Sequence, residues 1–258
     1  MLPRERIAAA LHAAASRGEP ALVAFLTAGY PKRAQFGEHL AAVCAGADVV
    51  EIGVPFTDPM ADGMTIQRSS REALAQGVSL QWILDELAVR SDRDTPLLLM
   101  SYLNPLLAYG YERLAAACAA VGVCGFIIPD LPLEESAALR AALGPHGLAL
   151  VQMVTPVTQP ARLARLCAAS EGFVYAVTMT GVTGKSAAVP ADLVEYLARV
   201  RAAASVPVCA GFGIRSRAQV EALRGQVEGV IVGSALVEVL EQGQDARAWL
   251  QALRPGTA

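Results

Sequence analysis

With 54% hydrophobic and only 17% charged residues over 258 positions, the chain has ample apolar material for a large core, which excludes intrinsic disorder. A net charge of −3 with no Lys/Arg run or aromatic-basic stripe excludes the electrostatic footprint of a nucleic-acid binder. The length fits either two ordinary domains or one large barrel, so periodicity has to decide.

The opening stretch MLPRERIAAALHAAASRGEP reads as an amphipathic helix over 3–17, not as a signal peptide. No apolar run approaches the roughly 20 residues needed to span a bilayer, so a cytoplasmic location is expected. Eight short apolar runs follow: ALVAFLT (21–27), DVVEIGV (48–54), PLLLMSY (96–102), GFIIPD (125–130), LALVQMV (148–154), GFVYAVT (172–178), VPVCAGF (206–212) and GVIVG (229–233). Helical patterns such as AQFGEHLAAVCAG, SLQWILDELAVR, YERLAAACAAVG and ADLVEYLARVRAA alternate with them, and SALVEVLEQ and DARAWLQAL come last. Near-continuous apolar strands alternating with helices indicate a parallel sheet covered by helices, because a parallel strand needs a long crossover. Eight such units predict an α/β fold, a (β/α)8 barrel, preceded by the extra N-terminal helix. An open doubly wound sheet is disfavoured because no GxGxxG turn follows the first strand. No linker or composition shift divides the chain, which predicts one domain over 1–258.

Five scattered cysteines, Cys44, Cys118, Cys124, Cys167 and Cys209, sit mostly in apolar segments and read as small buried hydrophobes. His12, His39 and His146 lie far apart, and no CxxC pair exists, so the sequence gives no support for a metal site.

The stretch EIGVPFTDPMADG (51–63) carries the strongest chemical signal. It sets a carboxylate, Glu51, inside an apolar strand, where an unpaired charge costs several kcal/mol. Val49, Glu51 and Gly53 share one strand face, so Glu51 is expected to point into the barrel mouth, with the small Gly53 leaving room beside it. Burial raises a carboxyl pKa and lets one group act as acid and base in turn. Asp62, in the following loop, reaches the same pocket, and two acids in different environments divide such roles. Asp58, between Thr57 and Pro59, fits a turn former better.

Glycine loops supply a second signal at the far strands: GVTG (181–184), GFGI (211–214) and VGSA (232–235). Backbone N–H groups approach an anion closely there, and the helix starting at Gly233 and Ser234 adds partial positive charge, which together predict a phosphate cradle. Phe25, Met100, Tyr102, Ile128, Met153, Tyr175 and Phe212 lie near strand ends and are expected to line the pocket. Tyr102 and Tyr175 stand out because a buried hydroxyl wants a partner.

With the acid pair and glycine loops in this order, the sequence resembles the tryptophan synthase alpha chain family. FLTAGYP (25–31), EIGVPFTDPMADG (51–63), TIQRS (65–69), MSYLNP (100–105), PDLPLEE (129–135), GFVY (172–175), GVTG, AGFGI (210–214) and VGSA carry the likeness. The resemblance implies cleavage of indole-3-glycerol phosphate to indole and glyceraldehyde 3-phosphate. It implies Glu51 as general acid/base, Asp62 holding the indole N–H, and Tyr175 assisting near the acid. Phe25, Tyr102, Thr183, Gly184, Phe212, Gly213, Gly233 and Ser234 are the expected substrate contacts. No cofactor is expected in this chain; pyridoxal phosphate is implied only in a beta subunit that receives the indole in an α2β2 assembly. Pro55, Asp58, Asn104 and Pro105 would meet that partner, and the loop around 179–190 would fold over the substrate. Met64, Ala176 and Met179 depart from the family's usual residues. A stand-alone lyase and a non-catalytic phosphate-binding barrel are the alternatives. A Schiff-base aldolase is disfavoured because the two lysines, Lys32 and Lys185, both fall in loops.

Overall fold

The computed structural model of the protein describes residues 1–178, 190–211 and 213–256. Eight parallel strands close into a barrel in strict chain order: β1 (Ala21–Thr27), β2 (Val49–Gly53), β3 (Leu97–Met100), β4 (Val123–Ile127), β5 (Ala149–Val154), β6 (Val174–Val177), β7 (Val208–Gly211) and β8 (Gly229–Val232). Closure pairs β1 with β8, Ala21 facing Gly229. The fold is the expected (β/α)8 barrel.

Helices α1 (Pro3–Ser16), α2 (Phe36–Cys44), α3 (Met64–Ala75), α4 (Leu80–Val89), α5 (Leu103–Tyr109), α6 (Tyr111–Ala120), α7 (Ala137–Leu143), α8 (Pro160–Ala169), α9 (Ala191–Ala203), α10 (Arg217–Ala222), α11 (Ser234–Glu241) and α12 (Ala246–Leu253) surround it. No helix among the described residues is long and apolar enough to cross a membrane.

Two of these helices escape the apolar pattern. The buried positions of α3 are Ser69, Ser70 and Ala73, which leave no apolar stripe to read. Asn104 and Pro105, expected in a turn, lie in the first turn of α5, where the missing proline N–H has no intrahelical acceptor to lose. The fourth strand begins and ends earlier than GFIIPD suggests, because Val123 opposite Leu97 is the first residue to pair and Ile127 the last.

Alternation along each strand sorts the core into two layers. One face of the strands, with Leu22, Ile52, Leu99 and Val230, packs outward against the helices. The other face, with Val23, Val49, Leu98, Ile127, Val151 and Ile231, fills the barrel, and Ile7, Leu11 and Ala14 of α1 join that cluster. Each such aliphatic side chain contributes roughly 1.5–3 kcal/mol on burial. The filling leaves the C-terminal mouth as the open end. All five cysteines are buried and free.

Candidate active site

The C-terminal mouth holds a cavity of about 620 Å³, within the range of small-ligand sites. Glu51, Asp62 and Tyr175 all line it, together with Phe25, Gly213, Gly233 and Ser234. Residues from β1, β2, β6 and β8 thus converge with three loops on one space.

Glu51 stands in the middle of β2, in register with Phe25 and Leu98 on the flanking strands. It is 0% exposed, and neither carboxyl oxygen has a hydrogen-bond partner among the described residues. With no cation or donor among the described residues to offset desolvation, burial pushes its pKa up to about 8. The room at Gly53 goes to a neighbour: a Cβ there would collide with Cζ of Phe25, so the glycine admits the Phe25 ring beside the acid.

Asp62 is half-buried in the loop between β2 and α3. Burial raises its pKa to about 6, and a hydrogen bond from the Tyr102 hydroxyl at 3.2 Å works the other way. The same tyrosine oxygen accepts the Ala61 N–H at 2.8 Å, and its ring stacks on Phe56 with centroids 5.2 Å apart. Tyr102 therefore sits behind the acid and is not among the cavity-lining residues; its hydroxyl is spent on holding Asp62 and Ala61 in place. Gln67 in α3 adds a bond from Nε2 to the Asp62 carbonyl at 2.8 Å.

A pair that sequence reasoning passed over supports this loop from below. The buried hydroxyls of Thr27 and Ser69 lie 2.7 Å apart, and Ser69 Oγ donates to the Ile66 carbonyl at 2.9 Å. They tie β1 to the second turn of α3 and, through the Ile66 carbonyl, to the first turn that follows the Asp62 loop. Two small polar residues 42 positions apart carry no readable signal of such a contact.

Tyr175 pairs in register with Cys209 and Met153. Burial raises its hydroxyl pKa well above the usual value, and the nearby charges of Glu51 and Asp62 add to the effect. Gly211 makes this placement possible, since a Cβ would fall 2.6 Å from the tyrosine oxygen. Ile128 and Met153 line a neighbouring cavity of about 350 Å³ between the ends of β4 and β5. Thr183, Gly184 and Phe212, with the loop segment 179–189, lie outside the described residues.

On the same cavity Gly233 and Ser234 open α11, and Gly213 faces it from the loop after β7. A helix start and a glycine offer N–H groups and partial positive charge to an anion. A buried carboxyl without a partner among the described residues, a second acid on the same cavity and backbone N–H groups open to an anion, all on a closed barrel, are the features of an acid/base enzyme acting on a phosphorylated small molecule.

The sequence profile of the tryptophan synthase alpha chain matches residues 11–254, and the chain belongs to that family. It is 45% identical over 249 residues to the tryptophan synthase alpha chain of Nitratidesulfovibrio vulgaris strain DP4, covering 96% of this chain and 97% of that one. The alpha chain of Chloroflexus aurantiacus is 43% identical over 240 residues, 92% of this chain and 90% of that one. Among solved structures, tryptophan synthase from Mycobacterium tuberculosis superposes with a TM-score of 0.88 at 36% identity, covering 96% of both chains. The alpha subunit from Legionella pneumophila strain Paris gives 0.87 at 30% identity, again covering 96% of both. The chain is accordingly a lyase of tryptophan biosynthesis, cleaving indole-3-glycerol phosphate to indole and glyceraldehyde 3-phosphate.

Proposed function

We propose that the whole chain, 1–258, works as one barrel domain in which Glu51 carries the protons of this cleavage and Asp62 stabilises the charge that the ring develops. The observation that carries this reading is the Glu51 carboxyl: fully buried, without a partner among the described residues, and on the wall of a cavity that also holds Asp62.

The bond to be broken joins ring carbon C3 to the hydroxyl-bearing chain carbon. At neutral pH a carboxyl with a pKa of about 8 is mostly protonated, so Glu51 enters as the acid and delivers a proton to C3. Protonation leaves positive charge on the ring nitrogen. An ionised Asp62, with its lower pKa of about 6, accepts the ring N–H and stabilises that charge. The Glu51 carboxylate then takes the proton from the chain hydroxyl as the C–C bond breaks. Its electrons return to the ring, and glyceraldehyde 3-phosphate and indole form with Glu51 restored. Tyr175, whose hydroxyl stays protonated at neutral pH, is a donor beside Glu51 for the reacting oxygen.

The phosphate sits on Gly213, Gly233 and Ser234; the other expected contacts, Thr183, Gly184 and Phe212, lie outside the described residues. Phe25 packs on the ring and Tyr102 keeps Asp62 aimed. In this reading the chain's own residues carry the protons, and pyridoxal phosphate is assigned to the partner beta subunit, which takes over the indole in an α2β2 complex. Met60 and Met64, exposed in and just after the β2 loop, and Leu107 on α5 give the face around Pro55, Asp58, Asn104 and Pro105 the apolar character such a partner needs.

The test is Glu51→Gln. Indole release is expected to fall by about 10³-fold or more, while glycerol 3-phosphate still binds at the anion seat. Unchanged cleavage would remove the assignment.

A further inference from the structure

Glu238 lies on α11, four residues beyond Ser234 and so on the same helix face. Its carboxylate joins three elements. Arg215, two residues after Gly213, donates from Nη1 to Oε2 at 2.6 Å and from Nη2 to Oε1 at 3.0 Å. Thr65, in the first turn of α3 and three residues after Asp62, donates to Oε1 at 3.4 Å. One turn further along both helices, Arg68 pairs with Glu241. On the other side, the Arg215 N–H is fixed by Gln219 Oε1 at 2.8 Å. Gly213, Ser234 and Thr65 all line the cavity, whereas Glu238 and Arg215 do not. The start of the helix that seats the anion is thus laced beside the start of the helix that follows the acid loop.

We infer that Glu238 is a positioning residue for the reaction: by holding Arg215 and Thr65 together it sets the distance between the phosphate seat and Asp62. The inference rests on the phosphate seat proposed above and deepens it. The substrate has a fixed length between its phosphate and its ring. A seat that drifts relative to the acids therefore binds the phosphate and misplaces C3, and small misplacements cost rate steeply. The Arg215 side chain is 55% exposed, and an isolated surface pair of that kind contributes little. The bidentate fork and the third bond from Thr65 make this one different, because Glu238 is the shared acceptor: moving either partner breaks its bond to the helix, and moving the helix breaks both.

The test compares wild type, Arg215→Ala, Glu238→Ala, the double variant, Glu238→Gln and Thr65→Val in the full chain, with melting temperatures recorded for each. Two ligands are used: glycerol 3-phosphate, which occupies only the seat, and indole-3-glycerol phosphate, which spans both ends. The expected result is a fall of about tenfold in kcat/KM for the spanning substrate in both alanine variants. The double variant should be no worse than either single one, Glu238→Gln should be intermediate, and the Kd for glycerol 3-phosphate should change less than twofold. Equal losses for both ligands would mean a collapsed seat and overturn the inference. Tighter glycerol 3-phosphate binding in Glu238→Ala would overturn it too, marking Arg215 as a direct phosphate ligand released from its partner. No change in any variant would leave the cluster without a role. Ser234→Asp separates the two levels. If it leaves glycerol 3-phosphate binding intact, the seat itself is wrong and the inference falls with it; if it abolishes binding while the other variants behave as wild type, only the positioning role fails.

Discussion

The N-terminal rim of the barrel and the cavity at its C-terminal mouth treat acidic side chains in opposite ways. At the N-terminal rim, Asp48, Glu171 and Glu228 each precede an even-numbered strand and accept a backbone N–H at the start of the strand before: Leu22 at 2.8 Å, Leu150 at 3.1 Å and Val208 at 2.8 Å. Each also meets arginine, Asp48 with Arg17 and Arg254, Glu171 with Arg4 and Arg140, and Glu228 with Arg201. At the C-terminal mouth Glu51 has no partner among the described residues and Asp62 has a single phenol. Paired acids cap strands and lace the chain termini to the barrel. Unpaired ones in a dry space hold protons that can move.

The largest effect should come from moving the mouth toward the rim's chemistry. Glu51→Gln removes the proton carrier and is expected to cost about 10³-fold or more in kcat, read as indole release. The same substitution should stabilise the fold in alkaline buffer. Because the folded pKa of Glu51 is about 8 against an ordinary 4.5, the unfolded chain ionises this group first, so its contribution to stability is lost as pH rises from about 4.5 to about 8. Melting curves should lie closest for wild type and variant below pH 4.5 and separate progressively up to about pH 8.5, in the variant's favour.

Asp62→Asn should cost about 10²-fold and change the shape of the pH profile. In wild type, kcat/KM is expected to rise as Asp62 ionises near pH 6 and to fall as Glu51 loses its proton near pH 8. The variant should keep the alkaline limb and lose the acidic one. Identical profiles would break the division of roles.

At the rim, Asp48→Ala deletes one strand cap and two arginine contacts at side chains that are mostly buried on the acid side. It should lower stability by about 2–3 kcal/mol in denaturant titration while leaving kcat within twofold. A comparable loss of activity would erase the contrast between the ends. Tyr102→Phe is the mildest change, leaving the stack on Phe56 and removing the bonds to Asp62 and Ala61. A fall of about three- to tenfold in kcat is expected, with melting temperature little altered.

The barrel was legible because its strands are buried on both faces and therefore read as unbroken apolar runs. Glu51 was legible for the same reason: a charge inside such a run is conspicuous. Helix α3 was not, since its buried face is Ser69, Ser70 and Ala73, and neither was α5, whose Pro105 reads as a break although the first turn tolerates it. The role of Tyr102 was half legible. Its hydroxyl demanded a partner, but only the fold reveals that the partner is Asp62, 40 residues earlier, and not a ligand. Long-range polar contacts among small or charged residues, Thr27 with Ser69 and Arg215 with Glu238, carry no periodicity and had no local signature.

The account depends most directly on the protonation state of Glu51 in the resting enzyme. Infrared difference spectra of wild type against Glu51→Gln, recorded across pH, isolate the carbonyl stretch of that one protonated carboxyl. The band is expected at pH 7 and should disappear with a midpoint near 8. A group already ionised at pH 7, titrating near the ordinary value of 4.5, would contradict the proposed reaction.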